Sequence, residues 1–318
     1  MGLELISKTL CWVVGFKLKI QMPINRVVVG NHLVEIMSFY HVRRADITVL
    51  IGPDSLDVLH SVTTQSVSDL SDNVSIFASI LNPNGRMTDR ILIWNLVDQI
   101  ALIHLEGCSE STRTLLSKSV SWKQDVKIIP LDSGFSSIWV YDLENIREDK
   151  KIIIDGQIHS THTEDGVKIH LGPNNEINEF ESNLIRSGIT KIDDDGMQLF
   201  QIMNGQINGN IVRNYRPIPL EVSLSNDISF TKGCYTGQEI IARLDARGVL
   251  ARTLVTFSST NHLQSGNHKI IGGGRLVVYY SLFHDEKWMN LGLIHPDLAE
   301  TGIEFSLDDI DCNIITKW

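Results

Sequence analysis

The sequence predicts an α+β protein with two domains. Its 318 residues are about twice the roughly 150 residues of a common domain. Short β-rich runs alternate with helical patterns as far as about Gly248, and short strands broken by glycine and asparagine follow it. We therefore expect an α+β region over residues 1–248 and a small β-barrel domain over residues 249–318.

The composition is that of an ordinary globular protein and excludes a disordered or fibrous chain, because 42% of the residues are hydrophobic and 21% are charged. The net charge of −10 argues against a surface that binds nucleic acid directly. Four widely spaced cysteines without a C-x-x-C motif fit a reduced cytoplasm. The apolar run at 10–16 is too short to span a bilayer, so we expect a cytoplasmic protein with no membrane partner.

The first helix is predicted directly after a strand. Residues 47–51 are mainly β-branched or apolar, and Gly-Pro-Asp at 52–54 supplies a turn with proline at a helix start. Three more strands are predicted by apolar runs at 75–81, 90–96 and 99–105. The Asn-Pro-Asn-Gly turn after the first of them predicts a hairpin. Ser109 is a candidate N-cap for a helix over 109–116.

The sequence also contains a candidate internal repeat. Residues 171–175 (LGPNN) resemble residues 51–55 (IGPDS), and apolar residues at helical spacing follow each segment. This repetition favours two related sheet-and-helix halves. Coincidence is the alternative interpretation, because Gly-Pro followed by Asp or Asn is a common way to start a helix.

The last 70 residues lack strong helical periodicity and favour a small β domain. Short strands are predicted at 254–258, 268–271, 275–280 and 290–294. Gly272, Gly273 and Gly274 lead into a strand rather than a helix, which indicates a tight β turn and argues against a phosphate-binding loop.

The most specific segment of the chain is the octapeptide at residues 232–239, KGCYTGQE. Gly233 and Gly237 permit backbone turns that a β-carbon would obstruct. Thr236 and Glu239 have the T-x-x-E spacing of a capping box. The octapeptide therefore predicts a tight loop that opens a helix.

Cys234 is the candidate functional thiol of this loop. It is expected just before a helix N-terminus and lies two residues from Lys232, and both features lower the pKa of an exposed cysteine. The alternative is a buried cysteine that packs as a small hydrophobic residue.

The octapeptide resembles the signature of the YgfZ proteins, folate-binding relatives of the glycine-cleavage T-protein (GcvT), an aminomethyltransferase. Further similar segments are G-P-D-S and T-T-Q within 52–65, L-N-P-N-G-R at 81–86 and P-L-E at 219–221. The resemblance spans about residues 45–250, and the C-terminal segment matches by position and pattern only. It implies an aminomethyltransferase fold, with ferredoxin-like halves around a central cavity and a small C-terminal β-barrel.

The resemblance also implies a site in that cavity for tetrahydrofolate or a one-carbon derivative. The glutamate of the family's P-x-E segment binds the pterin ring, and it corresponds to Glu221. A carboxylate can accept two parallel N–H bonds from such a ring, although a salt-bridged carboxylate is the alternative. One of Arg243, Arg247 and Arg252 could meet the glutamyl tail, unless they are ordinary surface arginines. The other candidate cofactor-binding residues are Lys232, Tyr235 and Gln238.

The chain departs from the aminomethyltransferase pattern at the hairpin. That enzyme has two adjacent aspartates there, the second implicated in catalysis, whereas this chain has Asp89 followed by Arg90. A guanidinium keeps its proton near neutral pH and cannot replace a carboxylate. Asp89 remains a candidate catalytic residue only if the hairpin slips by one residue. Glycine-cleavage activity is therefore not expected.

Three functional hypotheses follow from these residues. The leading one is a tetrahydrofolate-binding accessory protein in iron–sulfur cluster assembly or repair, with an indirect effect on tRNA modification. Its partners would be folate and iron–sulfur enzymes or cluster-assembly proteins. The alternative is a folate-dependent aminomethyl or methyl transferase or demethylase that uses Asp89. A structural interaction protein without folate is the third, because Gln198 and Gln201 replace an aspartate and an arginine of the family.

No metal site is predicted. His159 and His162 are three residues apart, near Glu164 and Asp165, a spacing that could hold a metal on a helix. Polar neighbours and Gly166 favour a turn over a helix at this point.

Overall fold

The structure of the chain is a computed structural model that describes residues 26–29, 32–35, 38–131, 133–142, 149–163 and 166–318. The apolar run at 10–16 and the acidic pair Glu164 and Asp165 lie outside the described residues. In the described part of the chain, no helix is long and apolar enough to cross a membrane.

The described elements form three main sheets, a short β1–β2 hairpin and six α-helices. The strands are β1 (Arg26–Val29), β2 (His32–Glu35), β3 (Ser38–Arg44), β4 (Ile47–Ile51), β5 (Val74–Leu81), β6 (Met87–Asn95), β7 (Ile100–His104), β8 (Lys127–Leu131), β9 (Phe135–Asp142), β10 (Ile153–Asp155), β11 (Ile158–His162), β12 (Val167–Pro173), β13 (Thr190–Lys191), β14 (Thr253–Ser259), β15 (Gly266–Lys269), β16 (Arg275–His284), β17 (Lys287–Ile294), β18 (Glu304–Leu307) and β19 (Ile310–Lys317). The helices are α1 (Ser55–Val62), α2 (Ser109–Ser119), α3 (Asn174–Arg186), α4 (Asp194–Met203), α5 (Gly209–Tyr215) and α6 (Gln238–Arg247).

The first sheet has the strand order β5-β6-β7-β4-β8, and all its neighbours are antiparallel. The predicted strand at 47–51, the predicted hairpin with the Asn-Pro-Asn-Gly turn and the predicted helices are confirmed. Alternate residues of β6 serve opposite faces, so Ile91 and Ile93 pack in the cluster with α1 and α2. Leu92 and Trp94 pack in the cluster shared with the second sheet.

The second sheet has the order β10-β11-β12-β9-β3-β13. Phe39 of β3, Tyr141 of β9 and Ile169 of β12 are buried in the core between the two sheets, and α3 packs through Ile177 on the other side. His162 ends β11, and the predicted turn directly follows the strand, because the Gly166 amide donates to the Thr163 carbonyl at 3.1 Å.

The internal repeat is present as two sheet-and-helix halves, but not with the predicted correspondence. Gly52 and Gly172 each lie between a strand and a helix. However, β4 lies between β7 and the edge strand β8, whereas β12 lies between β11 and β9. The two Gly-Pro segments therefore occupy different places in their sheets, because the same helix-start sequence serves two different crossovers.

The third sheet, β15-β16-β17-β14-β19-β18, lies where the small C-terminal β-barrel is predicted; it is antiparallel and curls into a half-barrel. The Ile271 amide donates to the Ser306 carbonyl at 3.0 Å and joins its two edges at one end. The strand predicted at 268–271 begins and ends earlier, at Gly266–Lys269. Gly272 has a φ of 89°, which places the three glycines in the predicted turn.

Two predicted helix caps are wrong. The N-cap of α2 is Cys108 rather than Ser109, and no side chain caps that helix end. The N-cap of α6 is Gly237, again without a side-chain hydrogen bond, so Thr236 and Glu239 form no capping box. The α6 helix opens from a left-handed glycine because its start is set by a close backbone contact.

That contact joins the octapeptide to the hairpin turn between β5 and β6. Gly237 has a φ of 81°, and a Cβ on it would lie 2.6 Å from the Asn82 carbonyl oxygen. A Cβ on Gly85 of the hairpin would lie 2.7 Å from the Cβ of Ile240. Gly233, by contrast, has no atom within 4 Å of a Cβ position. The two most specific sequence segments therefore pack directly against each other.

Gly237→Ala is expected to lower the free energy of unfolding by about 2 kcal/mol or more, because the left-handed backbone and the backbone clash both disfavour a Cβ. Urea unfolding gives this value. Gly233→Ala is the matched control and is expected to leave stability within about 1 kcal/mol of the wild type. Equal stabilities of the two variants would contradict the contact.

Candidate functional site

A cavity of about 2690 Å³ lies at the centre of the molecule. All three main sheets contribute to its wall, together with α4 and the segment at 222–230. It is larger than the roughly 300–1000 Å³ of most small-ligand pockets. The volume therefore suits a large ligand, or a ligand together with a second group.

One part of the cavity wall combines a cation with aromatic rings. The Arg43 guanidinium lies 4.0 Å from the ring centroid of Trp139 and donates from Nη2 to the Tyr141 hydroxyl at 3.1 Å. Tyr141 stacks on Phe39 with ring centroids 4.7 Å apart. Because β3 and β9 pair side by side, Arg43 and Trp139 together line the cavity as a cationic and aromatic surface of the kind that binds conjugated rings.

Arg90, the residue that follows Asp89 in the hairpin, lines the cavity. Its Nε and Nη2 donate to the two carboxylate oxygens of Asp227 at 2.7 and 3.0 Å. Its guanidinium also lies 4.1 Å from the ring centroid of Phe77. Asp227 is 2% exposed, so a buried carboxylate holds a cation where the aminomethyltransferase pattern has an aspartate.

Asp89 is fully buried and is not among the residues that line the cavity. Its Oδ2 accepts from His104 Nδ1 at 2.6 Å and from the Thr112 hydroxyl at 2.7 Å. Its Oδ1 accepts from the backbone amides of Arg90 and Leu105. These four bonds use the acceptor capacity of the carboxylate, so Asp89 fastens β6 to α2 and β7.

Glu221 is paired with Arg252. The Arg252 Nε and Nη2 donate to its two oxygens at 2.9 and 2.8 Å, and the Ile218 amide donates to Oε2 at 3.1 Å. Glu221 is 3% exposed. It does not line the cavity, whereas the next residue, Val222, does. A contact of Glu221 with a pterin ring stays a prediction, and it requires the carboxylate to exchange or share Arg252.

Lys232 anchors the octapeptide to the end of α1. Its ammonium donates to the carbonyls of His60, Thr63 and Gln65, an arrangement that satisfies carbonyls at a helix C-terminus. Burial lowers the pKa of Lys232 to about 8, so the ammonium is protonated at neutral pH. The ring of Tyr235, itself buried, lies 5.2 Å from this ammonium.

Cys234 lies between these two anchored residues and is exposed. No residue between Phe230 and Thr256, a fully described part of the chain, lines the cavity. The thiol of Cys234 therefore lies outside the cavity. The other described cysteines, Cys108 and Cys312, are buried. Cys234 is therefore the accessible thiol of the described chain.

The remaining predicted ligand residues are on α6. Gln238 begins the helix, and Arg243 pairs with Glu239 one turn earlier at 2.6 Å. Arg247 ends the helix and is exposed. The structure thus places the octapeptide and α6 together but apart from the cavity lining, and the cofactor roles of these residues stay predictions.

Sequence reasoning missed Arg43, Trp139 and Tyr141 as site residues. They belong to β3 and β9, whose pairing could not be inferred from two segments nearly 100 residues apart. The available signal was the alternation in SFYHVRR at 38–44, which places Phe39 on the core face. In the described part of the chain, no three His, Cys, Asp or Glu side chains are grouped to hold a metal ion.

Comparisons with known proteins show which sequences and which fold this chain resembles. No protein-family model matches the sequence. The chain is similar to the tRNA-modifying protein YgfZ of Blochmanniella pennsylvanica, at 23% identity over 283 residues, covering 81% of this chain and 82% of that protein. The similarity to YgfZ of Aliivibrio fischeri is 24% over 273 residues, covering 82% and 85%.

A more distant similarity extends to the mitochondrial iron–sulfur cluster assembly factor IBA57 homolog of Dictyostelium discoideum, at 23% identity, covering 64% of this chain and 58% of that protein. Among solved structures, the glycine cleavage system aminomethyltransferase T of Bartonella henselae has the same fold. The TM-score is 0.69 at 13% identity, covering 88% of this chain and 85% of that one. The chain is thus similar to the YgfZ proteins over about four fifths of its length and has the aminomethyltransferase fold.

Proposed function

We propose that the chain is a tetrahydrofolate-binding accessory protein in iron–sulfur cluster assembly or repair, with an indirect effect on tRNA modification. The names of its relatives support the two processes, since they include tRNA-modifying proteins and an iron–sulfur cluster assembly factor. The observation that carries the proposal is the presence of a large cavity together with an accessible thiol outside it.

The cavity wall suits a folate-type ligand. A folate combines a flat pterin ring, a benzoyl ring and an anionic glutamyl tail, and when bound it supplies or accepts a one-carbon group. Trp139 offers an aromatic ring, and Arg43 offers a cation that lies over this ring and donates to the Tyr141 hydroxyl. Such surfaces bind conjugated rings by stacking and by cation–π attraction.

The octapeptide is proposed to present Cys234 to a protein partner. Lys232 and Gly237 hold the loop on either side of the thiol, through carbonyl hydrogen bonds and the hairpin contact. The thiol is exposed at the start of α6. A cluster-assembly protein or an iron–sulfur enzyme can therefore reach this cysteine while the folate remains in the cavity.

The structure does not favour the transferase alternative over this role. Asp89 would have to meet a substrate, but its carboxylate is fully buried and accepts four hydrogen bonds. Arg90 faces the cavity instead, and a guanidinium cannot act as a general base at neutral pH.

Calorimetric titration tests the folate site. Wild-type protein is expected to bind 5-formyltetrahydrofolate, and Trp139→Leu is expected to weaken binding by about tenfold, because the aromatic face is lost. Trp122→Leu, at a tryptophan that is 90% exposed, is the control and is expected to bind like the wild type. Absence of binding to the wild type would refute the proposed function.

Complementation tests the thiol. In a strain that lacks its own copy of the protein, Cys234→Ser is expected to leave iron–sulfur enzyme activity at the level of the deletion strain. Cys312→Ser is the control, because that cysteine is buried and burial raises its pKa to about 12. Full activity with Cys234→Ser would show that the thiol has no role in the proposed process.

Asp89→Asn separates a structural role from a catalytic one. An amide in place of the carboxylate sets an NH₂ group against donors such as His104 Nδ1 and the Thr112 hydroxyl. We expect a loss of about 3 kcal/mol in the free energy of unfolding, with folate affinity of the folded protein unchanged. Asp98→Asn, at an exposed position, is the control. Unchanged stability together with a lost methyl transfer would instead support the transferase alternative.

A further inference from the structure

A chain of hydrogen-bonded side chains runs from the third sheet to the wall of the central cavity. Gln201 of α4 and Asn208, the N-cap of α5, both line the cavity, whereas Tyr280 of β16 lies outside its lining. The Tyr280 hydroxyl donates to Asn208 Oδ1 at 2.9 Å, and Asn208 Nδ2 donates to Gln201 Oε1 at 3.0 Å. These three side chains form a hydrogen-bond relay.

A backbone amide sets the direction of every hydrogen bond in the relay. The Ile211 amide donates to one end of the Asn208 carboxamide at 3.2 Å, so this end is the oxygen and the other end is the NH₂ group. Asn208 therefore donates to Gln201, whose contacting atom is its oxygen. The Tyr280 proton is used on Asn208, so the hydroxyl oxygen accepts from Asn210 Nδ2 at 3.2 Å. All donors thus point the same way, from the third sheet toward Gln201.

The relay ends on the NH₂ group of Gln201, a side chain that is 6% exposed. Within the described part of the chain, no group accepts a hydrogen bond from its Nε2 atom. This atom is also not one of the fully enclosed polar atoms that lack a partner. Because Gln201 lines the cavity, a molecule in the cavity can reach these N–H groups. A nearly buried donor without a protein acceptor indicates an acceptor on a ligand.

The direction of the relay selects the chemistry of that acceptor. Hydrogen bonds that all run one way polarise one another and strengthen the donor at the end of the chain. The relay consists of neutral groups, so it suits a neutral carbonyl oxygen such as that of an amide, a lactam ring or a formyl group. An N–H group of a ligand at the same place would face another N–H and find no acceptor.

We propose that Gln201 is a specificity-determining residue that donates to a carbonyl oxygen of the ligand in the central cavity, and that Tyr280 is a positioning residue that acts on it through Asn208. The proposal rests on the proposed function. It keeps a hydrogen-bond donor, without a charge, where the aminomethyltransferase pattern has an arginine. It also gives the third sheet a part in ligand binding, although Tyr280 lies outside the cavity lining.

Calorimetric titration with 5-formyltetrahydrofolate tests the role of Gln201. Gln201→Glu is expected to weaken binding by about tenfold or more, because a carboxylate oxygen would face the ligand oxygen in place of an N–H. Gln198→Glu is the matched control, because it adds the same charge on the same helix and also lines the cavity. The control is expected to change affinity by less than about threefold. Thermal melting verifies that both variants are folded.

A double-mutant cycle tests whether Tyr280 acts through Gln201. Tyr280→Phe removes the hydroxyl that donates to Asn208 and is expected to weaken binding by about threefold. In a Gln201→Met background, the same change is expected to have no effect, because the relay no longer ends on a donor. Equal effects of Tyr280→Phe in the two backgrounds would overturn the relay.

Titration with tetrahydrofolate, which lacks the formyl group, assigns the acceptor. An effect of Gln201→Glu on the 5-formyl derivative alone assigns the formyl oxygen, and an equal effect on both ligands assigns a carbonyl that both contain. Either result supports the proposal. Equal affinities of the Gln201→Glu and Gln198→Glu variants would overturn it and leave the folate site standing. Absence of binding to the wild type would refute the proposed function itself, and this inference with it.

Discussion

The close approach of the octapeptide to the first hairpin is the constraint on which the site depends. At Gly237 the backbone of the octapeptide touches the Asn82 carbonyl so closely that no side chain fits between them. Two polar links act on the same segment of chain: Lys232 binds the end of α1, and Asp227 binds Arg90. The segment at 222–230, which forms one wall of the cavity, is thereby fixed against the first sheet.

This arrangement separates two kinds of chemistry in one molecule. The cavity offers aromatic and cationic surfaces, with Trp139 and Arg43 in one wall. Cys234 is exposed in the octapeptide, beyond the segment that closes the cavity. A ligand held inside and a partner bound outside would both contact elements tied to the same hairpin, so the fold provides a physical connection between them.

The sequence predicted the local elements well because their signals are local. The strand at 47–51, the hairpin at 82–85 and the helices of the first half each depend on short runs of residues and turn chemistry. The capping box at Thr236 and Glu239 was wrong because a long-range contact at Gly237 sets the start of α6. The side chain of Glu221 was identified, but its pairing with Arg252 depends on how the third sheet packs.

The cavity itself could not be read from the sequence. Arg43 and Trp139 meet only because β3 pairs with β9, and the other residues of the wall come from all three main sheets. The octapeptide stood out for its specific sequence, whereas the cavity lining is scattered through the chain. For this reason the octapeptide could be identified from the sequence, whereas the cavity could be identified only from the structure.

The most direct test of the account is a crystal structure of the protein with 5-formyltetrahydrofolate. The account predicts the pterin ring in the central cavity against Trp139 and Arg43, with the Cys234 thiol exposed and not in contact with the ligand. A ligand bound against the octapeptide, with the central cavity empty, would contradict the separation of the folate site from the thiol.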